Sequence, residues 1–375
     1  MRAFGIPLKD RIKRLDPILL GASSFLSLVS ILTILGSVEN FGRSKLIMQV
    51  AMTVVGLVAV FLLANVDYRF FVDRFYIIMF FGSVALLIIT LIFGISGINM
   101  ETENRSWITI PVIGISIQPS EFVKITFLCT FSKHIDTVKD KLNRPLTLLG
   151  LLLHAGIIVG LILLSGDLGV ALVYMGIILV MLYCAGLSGW YFLGLAGAVT
   201  AAFPLIWKLL KPYQQKRIIY GFQPQLDPID VGRQPLMSRE VIARGGFFGK
   251  GLFEGGLYEE LTASHTDFIY ATVCEKFGFL GGMLVVVALV VIAARLFYIG
   301  YGCRDNVGKL ICCGCAAIVI IQTLENLWMC LALIPVVGIT LPFMSAGGSS
   351  VLAIYVLMGL AHSVSARERK FYFRG

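Results

Sequence analysis

Uncharged apolar windows recur along the whole chain. Residues 17–38 lie between Asp16 and Glu39, 46–66 between Lys45 and Asp67, and 75–100 between Arg74 and Glu101. Residues 145–166 lie between Arg144 and Asp167. The window 168–207 is too long for one crossing and breaks at GLSG, 186–189, so it predicts two helices. Further windows fall at 277–294, 310–333 and about 347–366, the last two separated by IPVVGITLP. A weaker window at 119–135 contains Glu121 and Lys124. A helix needs about 20 residues to cross a hydrocarbon core of about 30 Å. The pattern therefore predicts an all-α polytopic membrane protein of about ten transmembrane helices. It forms one transmembrane domain over residues 1–375, with a single long loop at 208–266.

Composition agrees. The chain is 58% hydrophobic and 14% charged, with mean hydropathy +0.88, whereas soluble domains carry about 25% charged residues. The net charge of +9 follows membrane topology rather than nucleic-acid binding. Arg2, Lys9, Arg11, Lys13 and Arg14, the loops at 67–74, 133–144 and 301–309, and the tail from Arg367 all fall on one side of a ten-span arrangement. Short loops on the other side hold only Arg43, Lys45 and Arg105. By the positive-inside rule both termini are cytoplasmic, and the long loop, though basic, crosses regardless of its charge. The first apolar run lacks the pattern of a cleaved leader and reads as a span. The eight cysteines sit almost entirely in apolar runs, and CCGC at 312–315 lacks the second spaced pair of a zinc site. They read as packing residues, and no metal-ligating set is expected.

Ionisable groups inside spans cost about 2.5–3.5 kcal/mol each at the helix centre on insertion scales. Glu121 and Lys124, spaced i, i+3, read as a neutralising pair and as a polar floor under a cavity. His154 reads as a hydrogen-bonded packing residue. Gln322, Glu325 and Asn326 share one face of the ninth helix, which must turn toward the bundle or a partner protein. A partner-facing stripe is the expectation. In SHTDFIYATVCEKFGF, residues 264–279, Ser264 and Asp267 have the S-x-x-D spacing of a capping box ahead of an apolar run. Spacing alone favours a structural Asp267. The loop at 208–266 is rich in Gly, Pro, Gln and Arg. A loop of that length is usually functional or disordered. Function is favoured, because Phe222, Ile242, Phe247, Phe248, Leu252 and Phe253 are available to pack it onto the bundle or the bilayer. Its basic residues suit an anionic lipid headgroup.

Four stretches together resemble the SEDS family of bacterial cell-wall proteins, RodA, FtsW and SpoVE. They are NRSWITIPVIGISIQPSEFVKI (104–125), GDLGVALVY (166–174), YQQKRI (213–218) through GGFFGKGLFEGG to HTDFIYATVCEKFGFLG (265–281), and PVVGITLPFMSAGGSS (335–350). The short tails look most RodA-like. The resemblance implies a peptidoglycan glycosyltransferase of the bacterial cytoplasmic membrane. Such an enzyme polymerises lipid II into glycan strands at the outer face, for elongation, shape or division. It works with a class B penicillin-binding protein and other elongation or division proteins. It implies Asp267 as the catalytic base. Arg217, Arg244 and Lys250 are then phosphate clamps, while Trp107, Gln118, Glu121, Lys124, His265 and Ser349 bind substrate. A divalent cation, magnesium or manganese, can assist without a dedicated protein cage. The family's second carboxylate is replaced by Ala263, with Glu259 and Glu260 close by as substitutes. Rival readings are a lipid II flippase guided by Glu121, Lys124 and Glu325, and a non-catalytic scaffold for the penicillin-binding protein.

Overall fold

A computed structural model describes residues 15–95, 105–110, 115–209 and 212–372, without the side chains of a few of them. Helices stand at all ten predicted positions. In chain order they are α1 (Pro17–Leu35), the one-turn α2 (Val38–Phe41), α3 (Arg43–Ala64), α4 (Tyr68–Phe93), α5 (Pro119–Val138), α6 (Pro145–Leu164) and α7 (Leu168–Cys184). There follow α8 (Gly189–Leu209), α9 (Pro212–Phe222), α10 (Arg233–Gly245), α11 (Ile269–Tyr301), α12 (Asn306–Cys330) and α13 (Gly348–Tyr372). A small antiparallel hairpin, β1 (Ile108–Ile110) with β2 (Ile115–Ile117), precedes α5. Among the described residues, seven helices are long and apolar enough to cross a membrane: α1, α3, α4, α6, α11, α12 and α13. The apolar stretches of α7 and α8 are shorter, and α5 carries Glu121 and Lys124. The protein is a multi-pass membrane protein. The basic residues at 2–14, on which part of the orientation argument rests, lie outside the described residues.

Several of the charges that interrupt the apolar windows are helix caps. The carboxylates of Asp16, Asp67, Asp167 and Asp305 accept backbone N–H bonds in the first turns of α1, α4, α7 and α12, satisfying donors that a helix start leaves unpaired. Asp16 also receives the guanidinium of Arg295 through bonds of 2.7–3.2 Å, tying the start of α1 to the far end of α11. The innermost helices are α12 and α13, whereas α3 and α4 show large apolar side chains outward.

The segment 208–266 is a folded unit. It contains α9, α10 and turns at Pro224–Leu226 and Leu257–Glu260. Val241, Tyr258 and Leu261 bury against Phe268, Ala271, Met329 and Cys330 to form a second, smaller core. Of the residues expected to pack this segment onto the bundle or the bilayer, Ile242 joins the small core, whereas Phe222, Phe247, Phe248 and Phe253 are exposed and do not pack onto the bundle.

α11 is two helices in one. At Gly278 the backbone turns to φ +70°, ψ −169°, a conformation only glycine adopts without strain. Beside this break the chain 246–251 lies against α11. Phe279 and Leu280 donate to the carbonyls of Gly246 and Phe247, while Lys250 and Gly251 donate to those of Glu275 and Lys276. Two buried ionic groups fasten the adjoining turn. The carboxylate of Glu275 accepts the N–H groups of Gly256, Leu257 and Tyr258 at 3.0–3.2 Å. The ammonium of Lys276 donates to the carbonyls of Gly36 and Leu252 at 3.0 and 2.8 Å and lies over the ring of Tyr258. A Glu275→Ala substitution strands three buried donors, each worth about 1–3 kcal/mol when left unsatisfied. It is expected to lower the unfolding temperature in detergent by many degrees, whereas an exposed Glu254→Ala control leaves it unchanged.

Candidate active site

Asp267 lies in the turn that leads into α11, but it does not cap that helix. The N-cap is Phe268, which makes no side-chain capping bond. Ser264 makes no cap either; its carbonyl accepts the Thr272 hydroxyl at 2.9 Å. The S-x-x-D spacing fails here because Ala263 takes φ +59° and its carbonyl receives the amides of both Thr266 and Phe268. The chain is wound into a tight turn, and the Asp267 carboxylate is turned away from the helix start.

The turn is held by its neighbours. The Asn326 amide donates to the carbonyls of Asp267 and Ile339, both at 2.7 Å. The Ser345 hydroxyl donates to the Thr266 carbonyl at 2.7 Å and itself accepts the Leu341 N–H. Ala346 donates to the His265 carbonyl at 2.8 Å. Residues 335–347 therefore form a shelf under Asp267. Gly338, at φ +69°, comes closest: a Cβ there would sit 3.6 Å from Asp267 Oδ2. The shelf is braced from the other side by Ser30 on α1, bonded to the Met344 carbonyl, and by Gln49 on α3, bonded to Ser30.

A second carboxylate, Asp167, faces this region. It caps α7 through the Val170 N–H and accepts the Gln118 side-chain amide at 2.9 Å. The Gln118 backbone N–H reaches the Ser349 hydroxyl at 3.4 Å. Three turns thus converge: the start of α5, the start of α7 and the start of α13. One turn down α5, Lys124 donates to Glu121 at 2.7 Å, both nearly fully buried. Glu325 on α12 stands close enough to feel Lys124 and Asp167, and one of its carboxylate oxygens is buried without a hydrogen-bond partner.

Burial pushes the Asp267 carboxyl up to about 6. The Thr266 hydroxyl partly offsets this, and the charge of Asp167 adds to it. Burial also raises Asp167, against the pull of Val170 N–H and Gln118. Asp267 therefore loses its proton just below neutrality, where a general base is both available and basic. His265 is pushed down to about 4 by burial and by nearby Lys45 and stays neutral, its ring packed on Phe41 at 5.3 Å.

Asp267, Gln118, Glu121, Lys124 and Ser349 are thus gathered in one region, with Trp107 at its edge. Trp107 bridges Ile95 through paired backbone bonds, while Arg105 donates to the carbonyl of Ser165, two residues before Asp167. Arg244 and Lys250 line a different, open cleft of about 380 Å³ with Gly255, Gly256 and Leu257. The backbone of Arg217 lies in α9, but its side chain is outside the described residues. One expectation needs correction. Gln322 and Asn326 do not face a partner: both are buried, and Asn326 binds the turns on either side of Asp267, while Glu325 is partly buried. Glu259 is exposed and accepts the Asn40 side-chain amide at 2.6 Å. Sequence reasoning passed over Asp167 as a mere window boundary. The signal was present: an acid directly ahead of an apolar helix and within a resembling stretch.

The profile of the FtsW/RodA/SpoVE family of cell cycle proteins matches residues 13–370. The chain belongs to this family. It is 32% identical over 341 residues to a probable peptidoglycan glycosyltransferase FtsW of Trichlorobacter lovleyi, covering 88% of this chain and 86% of that one. It is 33% identical to the stage V sporulation protein E of Bacillus subtilis strain 168, covering 84% of this chain and 85% of the relative. Among solved structures, a chain described in the structural coordination of polymerization and crosslinking by a peptidoglycan synthase complex superposes with a TM-score of 0.82. It is 27% identical and covers 94% of this chain and 98% of that one. Polymerization and crosslinking are what that synthase complex coordinates.

Removing one member of a buried ion pair costs about 3–5 kcal/mol, whereas replacing both can be nearly neutral. Lys124→Met alone is therefore expected to lower the unfolding temperature sharply, and adding Glu121→Gln to recover most of it. Thermal unfolding of the two variants in detergent reads the difference.

Proposed function

We propose that this family member is a peptidoglycan glycosyltransferase that polymerises lipid II at the outer face of the bacterial cytoplasmic membrane. Both termini lie in the cytoplasm, as the Lys and Arg distribution favours. The observation that carries the reading is the Asp267 carboxylate. It is released from capping, held on its backbone by Asn326 and Ser345, and set to titrate at about 6. Asp267 takes the proton from the acceptor sugar's 4-hydroxyl. The oxygen attacks the anomeric carbon of the lipid-linked donor, and undecaprenyl pyrophosphate leaves. Gln118, Asp167 and Ser349 offer polar groups to the sugars beside Asp267, and Trp107 an apolar wall. Arg244 and Lys250, with Arg217, pair with the diphosphate as charge builds on it.

No group of three or more His, Cys, Asp and Glu able to hold a metal gathers among the described residues. A magnesium or manganese ion carried mainly by the diphosphate needs no such group, and it would neutralise charge on the leaving group. The protein partner is a class B penicillin-binding protein, in line with the synthase complex it resembles. With other elongation or division proteins, that partner links the nascent glycan strand to the wall.

Purified protein with its penicillin-binding protein, transpeptidase site blocked, is given lipid II, and glycan chains are resolved on a gel. Asp267→Asn is expected to lower polymerisation by about 10²–10⁴, the usual contribution of a positioned base. Polymerisation at the wild-type rate would end the catalytic reading, and labelled lipid II crossing liposomes without chain growth would favour transport. The wild-type rate is expected to rise with pH through about 6 and level above it, because the base must be ionised. Stability runs the other way. A carboxyl raised from 3.8 to about 6 by burial opposes folding when ionised, so that penalty is present above about 6 and fades as pH falls toward 3.8. Asp267→Asn is therefore expected to unfold no lower than wild type at pH 8.

A further inference from the structure

The exposed aromatic residues of the 246–253 segment are not scattered. Phe247 and Phe248 lie edge to face at 4.9 Å, and Phe247 lies 5.9 Å from Phe279, the first residue past the break in α11. Phe248 and Phe253 are 78% and 74% exposed. The same surface runs without interruption onto α11, where Leu280, Met283, Leu284, Val287 and Val290 also point outward. Those outward positions on an apolar helix face lipid. The helix beyond Gly278, residues 279–301, is about 35 Å long at 1.5 Å per residue, close to the hydrocarbon thickness of about 30 Å. This places the break, and the segment bonded to it at Gly246 and Phe247, at the boundary of the bilayer. Arg244 and Lys250, both exposed, flank the phenylalanines on either side. Cations beside aromatic rings at that depth match the headgroup zone of a membrane.

We infer that residues 246–253 form a wedge seated in the bilayer, with Phe247, Phe248 and Phe253 among the upper acyl chains and Arg244 and Lys250 level with the lipid phosphates. The occupant of this apolar face is phospholipid. A protein partner is disfavoured because the patch is continuous with the lipid-facing side of α11. Two buried ionic groups, Glu275 and Lys276, and the ladder from 246–251 to 275–280 fix the wedge rigidly to α11. The wedge thereby holds the Arg244 and Lys250 cleft at the depth where phosphates of membrane-bound molecules lie. This rests on the membrane topology and not on the transferase reading.

The test uses the full chain in nanodiscs, without a partner protein. Phe248→Trp adds one tryptophan, and its emission is obtained by subtracting the spectrum of the unaltered chain. With lipids brominated at shallow acyl positions, the added emission is expected to be blue-shifted and largely lost, more than with deeply brominated lipids, while aqueous iodide leaves it unchanged. Phe253→Trp gives the same pattern and guards against a local packing defect at 248. Red-shifted emission that iodide quenches and bromolipid does not would overturn the inference and leave the face to a protein partner. Polymerisation is assayed separately, on the unaltered chain with its penicillin-binding protein, so failure of the transferase reading and failure of this inference are distinguishable.

Discussion

Buried, non-helical backbone is the constraint around which this structure is arranged. A bundle in lipid has no water to satisfy a free N–H or C=O, so irregular chain is tolerated only where protein groups supply the partners. Two such stretches, 263–268 and 335–347, meet inside the bundle. Asn326, Ser345 and Thr272 bond the first, and Asn326, Ser30, Gln49 and Ser345 bond the second. Two side chains, Asn326 and Ser345, serve both. The position of Asp267 is a consequence of these bonds: its backbone is tied down on both sides, which leaves its carboxylate turned away from the helix start.

The electrostatics follow from the same burial. Lys124 pairs with Glu121, and its charge also reaches Glu325, while Asp167 is the charged neighbour of Asp267. Asp167 is held by a helix start and by Gln118, whereas Asp267 has the Thr266 hydroxyl to set against its burial. Burial raises both acids, and the hydrogen bonds each accepts offset part of that rise. The basic groups Arg244 and Lys250 sit apart from these acids, in their own cleft.

The helices were legible because apolar windows and their bounding charges are local signals. Asp16, Asp67 and Asp167 mark the boundaries in sequence and cap the helices in space. What misled was also local. The S-x-x-D spacing at 264–267 suggested a cap, but Ala263 in the left-handed region diverts the chain. The polar face of the ninth helix suggested a partner, because a sequence cannot tell an inward face from an outward one when both neighbours are apolar. The loop at 208–266 reads as irregular, yet Glu275 and Lys276, buried groups from the following helix, organise the turn that closes it.

By itself the sequence determined the place of the ten apolar helices, the polytopic class and the candidate aspartate. Each depends on hydropathy, charge or short motifs, which act over a few residues. The tertiary structure alone decided that Asp267 is unbound by its helix, that Asp167 and Gln118 stand beside it, and that Asn326 faces inward. These depend on contacts between residues separated by scores of positions, and long-range pairing of buried polar groups leaves no periodic trace in a single chain.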